Sequence, residues 1–195
     1  MHSIIFATNN KNKVDEIRSV LKNSFQIISL KEAGIDIDIP EPYETLEENA
    51  REKSNTIYAL TGKDCFSEDT GLEVIALNNE PGVRSARYAS DHDFNKNIEK
   101  LLLNLNGIDN REAQFRTVIS LMLHGKEYQF EGICKGIITS AGAGSNGFGY
   151  DAVFIPRGSN KTFAEMTMEE KNKFSHRKKA TTKFVQFLTD LNGKD

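Results

Sequence analysis

Two long runs of alternating apolar and polar residues, Phe115 to Leu123 and Glu127 to Thr139, stand on either side of His124-Gly125-Lys126. Their alternation and their content of β-branched and aromatic residues read as β-strands, and the short glycine-containing connection joins them as a hairpin. A chain carrying this hairpin builds a sheet, and the rest of the sequence supplies helices to cover it. Ser3-Ile4-Ile5-Phe6-Ala7 is the apolar run of a central strand, and Phe25 to Leu30 reads as a second strand. Between them Val14, Ile17 and Leu21 recur at helical spacing, with Asp15, Glu16 and Arg18 left for solvent or flanking contacts. The reading is an α/β core. At 195 residues, with no Pro/Ser-rich linker, residues 1–195 are expected to form a single domain.

Three further helices are announced by their ends and stripes. Thr45 followed by Glu48 is a capping-box pattern, and Leu46, Ala50, Ile57 and Leu60 mark the buried stripe of a long helix. From Phe94 a second helix carries Phe94, Ile98, Leu101 and Leu105 on one face and ends at Asn106-Gly107. Ser175 is a cap for the last helix, whose stripe is Ala180, Phe184, Phe187, Leu188 and Leu191, which places His176 and Arg177 in an exposed first turn. Basic residues at a helix start oppose its dipole, so another reason is needed for them, and an acceptor-rich ligand would supply one.

The chemistry concentrates at Ser67-Glu68-Asp69-Thr70-Gly71. Cys65-Phe66 reads as the end of a buried strand and Leu72 to Leu77 alternates like another. Two adjacent carboxylates at such a junction repel, and burying either without a partner is strongly unfavourable. Two readings stand: an Asx turn with Asp69 capping its own backbone, or a site where Asp69 and a second acid hold a hard divalent metal. Thr8-Asn9-Asn10-Lys11-Asn12-Lys13 lies between a strand and a helix N-terminus, where free N–H groups and the dipole attract anions. It reads as a helix cap on a solvated surface or as a phosphate grip. Lys53 falls on the inward stripe of its helix and must either snorkel outward or meet an anion.

Gly142 to Gly147 fits G-x-G-x-x-G, but no helix follows, and the segment from Phe148 to Pro156 is a turn feeding a strand. A dinucleotide-dependent oxidoreductase rests on that match alone. Phe148 and Tyr150 offer aromatic faces either to the core or to a planar ligand. Charged residues make up 27% of the chain and the net charge is −3, which gives no global attraction to polymeric nucleic acid. Cys65 and Cys134 read as core thiols in a reducing cytosol. No apolar run approaches a membrane span, so the expectation is a cytoplasmic protein with no membrane partner.

A phosphate grip, an inward lysine, paired acids, aromatic faces and a donor pair together describe a nucleoside triphosphate with Mg²⁺. The ordered set of Thr8, Asn10 and Lys13, then Glu68-Asp69-Thr70-Gly71, Pro81-Gly82 with Ser85-Ala86-Arg87, Gly147-Phe148-Gly149-Tyr150-Asp151 and Ser175-His176-Arg177 resembles the inosine/xanthosine triphosphate pyrophosphatases over nearly the whole chain. The resemblance implies an elongated, two-lobed α/β domain with a central mixed sheet flanked by helices. It also implies a homodimer and Mg²⁺-dependent hydrolysis of ITP, dITP or XTP at the α–β bond to give a monophosphate and pyrophosphate. Carried over residue by residue, it makes Asp69 the catalytic acid and a metal ligand, with Glu41 the second metal acid and nearby Glu44 the alternative alignment. Thr8, Asn9, Asn10, Lys11, Asn12, Lys13 and Lys53 grip the triphosphate, with Thr70 beside the catalytic residue. Phe148, Gly149, Tyr150, Asp151, Lys171, His176 and Arg177 form the base and sugar pocket. Many bacterial members have Asp-Asp-Ser-Gly at the acidic motif; Glu68 here lengthens one acid and is read as a supporting residue. The alternatives are a pyrophosphatase for pyrimidine or other modified triphosphates, and a non-catalytic nucleotide sensor.

Overall fold

A computed structural model describes residues 3–21 and 26–192. Phe25, expected in the second strand, lies outside the described residues, as does the side chain of Leu21. The strands form one mixed sheet in the order β2-β1-β3-β5-β6-β7, with β4 on β3. They are β1 (Ser3–Phe6), β2 (Gln26–Ser29), β3 (Cys65–Val74), β4 (Pro81–Gly82), β5 (Glu112–Leu123), β6 (Lys126–Ile138) and β7 (Phe154–Pro156). The helices are α1 (Lys11–Leu21), α2 (Leu46–Thr61), α3 (Phe94–Asn104), α4 (Met168–Asn172) and α5 (His176–Asn192). The chain divides into two compact units, the first drawn from Met1–Asp69, Thr117–Gly132 and Arg177–Asp195, the second from Thr70–Arg116 and Ile133–His176.

In the first unit β1 is parallel to both neighbours, pairing Ile4 with Ile27 on β2 and Phe6 with Phe66 on β3. Strand alternation sends its side chains to two faces. Ile4, Phe6, Phe66, Ile119 and Leu121 pack with Val14 and Ile17 of α1 and Ala180, Phe184 and Leu188 of α5. Ile5, Ala7, Cys65 and Met122 point the other way, toward Ile57 of α2. Continuous apolar runs in β1 are thus explained by helices on both faces. The α2 start follows its sequence pattern: Thr45 Oγ1 accepts from the Glu48 N–H at 3.2 Å and donates to the Glu48 carboxylate at 2.7 Å. Its end is set by Gly62 in the left-handed region, φ 63°. Leu60, expected in the buried stripe, is 59% exposed, because the stripe ends one turn earlier at Ile57. Leu191 on α5 is likewise exposed. The hairpin turn is His124-Gly125, with φ of 49° and 79°, the two positive values that suit a twisted two-residue connection.

In the second unit a single core gathers Leu72, Val74, Leu101, Leu105, Phe115, Tyr150, Phe154 and Phe163. Leu101 and the partly buried Ile98 come from α3, whose start is capped by Asp93 accepting from the Lys96 N–H. β4 pairs antiparallel with β3, Leu72 opposite Gly82, and β7 antiparallel with β6. A side chain at Gly71 would bring a Cβ within 2.7 Å of the Gly82 carbonyl oxygen, so glycine at the end of the acidic pentapeptide serves the close approach of β4.

Two sequence expectations change here. Ser67 to Gly71 is not a turn between two strands: β3 runs through it unbroken as one ten-residue strand. The expected strand over Leu72 to Leu77 ends at Val74, and Ile75–Leu77 is a turn of 3₁₀-helix closed by Asn78 at φ 52°. A buried carboxylate is tolerated in a strand where it meets a cation, and Glu68 and Asp69 meet Arg177 and Lys53.

Candidate active site

Glu68 and Asp69 are 2% and 4% exposed, and as neighbours on a strand they project to opposite faces. The Asp69 face meets α2. Ser67 Oγ donates to the Ala50 carbonyl at 2.5 Å and Ser54 Oγ shares a hydrogen bond with Ser120 at 2.8 Å. These polar ties fix α2 against the sheet, and Lys53 lies between the two tied turns. Its ammonium donates to Asp69 Oδ1 at 2.9 Å and to Glu41 Oε1 at 2.6 Å. Burial works to lower the Lys53 pKa, but Asp69 and then Glu41 outweigh it and hold the ammonium above its ordinary value. Burial pushes the Asp69 carboxyl up against the pull of Lys53, and Glu41 adds to the push. Asp69 Oδ2 is buried and has no hydrogen-bond partner among the described residues.

The Glu68 face meets α1 and α5. Arg177 places a two-pronged fork on Glu68, Nε to Oε2 at 2.7 Å and Nη2 to Oε1 at 2.8 Å, and its Nη1 bonds Glu16. Lys13 adds a contact to Glu68 at 3.3 Å. Burial alone would raise the Glu68 pKa; Arg177 and then Lys13 reverse this and hold it at about 2. Arg177 is therefore not in an exposed first turn but 2% exposed, and His176 is 3% exposed. The basic start of α5 is tolerated because Glu16 and Glu68 neutralise it, and Glu16 is a buried partner rather than a solvent-facing residue.

The segment from Thr8 to Lys13 lies at the start of α1. Thr8 Oγ1 accepts from the Asn10 N–H, and Asn10 Oδ1 accepts from the N–H groups of Asn12 and Lys13. Asn10 is thus the helix cap. Asn9 is exposed, and exposed Lys11 pairs with Asp15 at 2.5 Å. Lys13, held by Glu68, is the member of this segment joined to the acidic strand. Glu44, the other acid near the α2 start, is exposed, and Glu41 is the one joined to Asp69 through Lys53.

A second cluster belongs to the second unit. Asp151 Oδ2 accepts from the Phe148 N–H at 2.9 Å and from Lys171 Nζ at 2.7 Å. The Lys171 ammonium also lies 5.5 Å from the centre of the Phe148 ring. Gly147, at φ 75°, leaves room for this carboxylate, since a Cβ there would fall 2.1 Å from Asp151 Oδ2. Gly149 follows in the same tight turn at φ 60°. Phe148 is half-buried, its ring 6.2 Å from that of Phe94. Tyr150, read as turned either to the core or to a planar ligand, is in the core and donates its hydroxyl to the Ser85 carbonyl at 3.1 Å. The His176 ring stacks on Phe115 at 4.7 Å between centres. Thr70 is half-buried at the start of this unit's share of β3. The Gly142 to Gly147 loop opens no dinucleotide-binding helix; Ser145 and Asn146 donate their N–H groups to the Ala164 carbonyl.

No group of three or more His, Cys, Asp or Glu side chains among the described residues is arranged to hold a metal ion. Mg²⁺ does not require one, since it is commonly held by one or two carboxylates with water and substrate phosphates completing the octahedron. Asp69 and Glu41 supply two hard oxygen donors, and the orphaned Asp69 Oδ2 is a buried acceptor that a cation would satisfy.

A family profile described as the Ham1 family matches residues 4–187. The chain belongs to that family. It is 50% identical to the dITP/XTP pyrophosphatase of Flavobacterium johnsoniae over 187 residues, 95% of this chain and 97% of that one. It is 48% identical to the dITP/XTP pyrophosphatase of Porphyromonas gingivalis over 191 residues, 96% and 98% of the two chains. The solved structure of the Staphylococcus aureus Ham1 protein superposes with a TM-score of 0.87 at 37% identity, covering 99% of this chain and all of that one. The α/β fold with a mixed sheet is therefore the family's fold, and this Ham1-family chain is a hydrolase of the pyrophosphatase class. The sequence alone left two partnerships unseen, Glu16 and Glu68 with Arg177, which join residues 161 and 109 positions apart; no local pattern signals them.

Proposed function

We propose that this Ham1-family enzyme hydrolyses the deaminated purine nucleoside triphosphates ITP, dITP and XTP to the monophosphate and pyrophosphate, with Mg²⁺ as cofactor. One observation carries the mechanism: Asp69 is a buried carboxylate with one oxygen on Lys53 and the other unsatisfied. Asp69 and Glu41 would hold the cation, which when bound acidifies a water and neutralises charge on the phosphates. Asp69 is the base that takes the proton from the attacking water. Lys13 and Lys53 offset the charge of the triphosphate and of the departing pyrophosphate. The N–H groups at the start of α1 and the side chains of Thr8 to Lys13 add donors for the phosphate oxygens.

The base reading rests on the second unit's residues. The half-buried Phe148 ring stacks on the purine, Lys171 and Asp151 hold that ring and the sugar, and His176 donates to the six-position oxygen that hypoxanthine and xanthine share. An amino group at that position offers a donor where an acceptor is needed, and one unpaired buried donor costs about 1–3 kcal/mol, roughly ten- to a hundredfold in discrimination. Arg177 was expected to share this role, but its fork is committed to Glu68 and its remaining arm to Glu16, so we assign it to ordering β3. On family grounds we place the enzyme in the cytoplasm as a homodimer, an assembly that sedimentation velocity would check. The deciding experiment is a panel of ITP, XTP, dITP, ATP and GTP with Mg²⁺. Pyrophosphate is expected from the first three alone, and orthophosphate as the first product would overturn the assigned bond cleavage.

A further inference from the structure

The two carboxylates best placed to take a cation already share one. The Lys53 ammonium sits 2.6 Å from Glu41 and 2.9 Å from Asp69, on a side chain only 9% exposed. A charged lysine this deep is strongly unfavourable unless paired, and here the pairing is with two acids. A divalent cation bound by the same acids would face the ammonium at short range, and like charges held a few ångströms apart in a poorly hydrated site repel by several times the thermal energy. The lysine stem is long and flexible enough to swing its head group without moving α2. The unsatisfied Asp69 Oδ2, on the same carboxylate as the lysine-bound Oδ1, gives an incoming cation a first point of attachment.

We propose that Lys53 is the resident counter-cation of the Glu41–Asp69 pair, and that a divalent cation binds there only as the ammonium withdraws from at least one of the two carboxylates. The withdrawn ammonium is left needing an anion in a buried place, and the triphosphate supplies it. Cation binding therefore readies Lys53 for substrate, and by linkage substrate that captures Lys53 tightens the cation. This inference rests on the metal reading given above and adds the competition between lysine and metal to it.

The test uses the full-length, nucleotide-free enzyme titrated with Mg²⁺, and with Mn²⁺ as a second probe, following binding heat and the unfolding temperature. Lys53→Met is expected to bind Mg²⁺ about tenfold more tightly than wild type, in keeping with the loss of a competing charge at short range. It should also melt at a lower temperature without metal and gain more from metal than wild type does. Lys53→Arg, which keeps the charge, should stay near wild-type affinity. Equal or weaker Mg²⁺ binding by Lys53→Met, with wild-type binding still abolished by Asp69→Asn, overturns the counter-cation role and leaves the metal reading standing. Binding that ignores Asp69→Asn in every form overturns the metal reading and this role with it. Should Lys53→Met fail to fold, trace acetylation of wild type read by mass spectrometry serves instead. Lys53 is expected to react severalfold faster at saturating Mg²⁺, and an unchanged rate refutes the displacement.

Discussion

Glu68 and Asp69 are consecutive acids on one strand, equally buried, and their surroundings treat them in opposite ways. Glu68 has both oxygens taken by the Arg177 fork and is further supported by Lys13, which drives its pKa down to about 2 despite burial. Asp69 has one oxygen on a shared lysine and one with no hydrogen-bond partner among the described residues, and its pKa is raised by burial. A fully matched buried carboxylate is an inert strut. One left half-matched is costly to the fold and available for proton or cation exchange, as perturbed groups at functional sites commonly are. The strand's alternation separates the two roles by a single residue.

This contrast can be broken by three measurements. Asp69→Asn should lower pyrophosphate release by about a thousandfold or more, the upper part of the range for a positioned base, while the loss of stability stays smaller than for Arg177→Ala because Lys53 keeps Glu41 as a partner. Normal turnover in that variant would take the chemistry away from Asp69. Arg177→Ala should instead destabilise the protein by about 3–5 kcal/mol in urea unfolding, the usual cost of stranding buried charges. The ITP/ATP preference of the folded fraction should be unchanged; a shifted preference would return Arg177 to the base pocket.

The third measurement reads pH. The folded Glu68 carboxyl, at about 2, lies below its ordinary 4.5, so the unfolded chain binds this proton more readily. Its contribution to stability is complete above about pH 4.5 and fades as the pH falls toward 2, amounting to about 3 kcal/mol across that window. Glu68→Gln should flatten acid unfolding in that range. An unaltered acid transition would mean that Glu68 is no better matched than Asp69.

Much of the fold could be read from local pattern, because its signals are local. The Thr45–Glu48 cap, the α3 stripe and the His124-Gly125 turn each involve residues a few positions apart, and each occurs where the sequence placed it. The site was legible as a set of residue types, with Lys53 meeting anions as its inward position required. What escaped was the state of the charged groups. The acidic pentapeptide looked like a turn because a carboxylate in a strand is expensive until its partner is known, and the partner of Glu68 is 109 residues away. The same distance hid the burial of Arg177, which hydrophobic periodicity at the start of α5 cannot distinguish from exposure. The choice between core and ligand for Tyr150 stayed open because its hydroxyl's partner, the Ser85 carbonyl, is 65 residues away.

Neither compact unit is a single stretch of chain: the first is drawn from three segments and the second from two, interleaved along the sequence. No single cut therefore yields either one whole. Genetic exchange at one crossover point cannot move either unit whole and alone, and the aromatic turn around Phe148 can be traded between relatives only together with pieces of the first unit's framework.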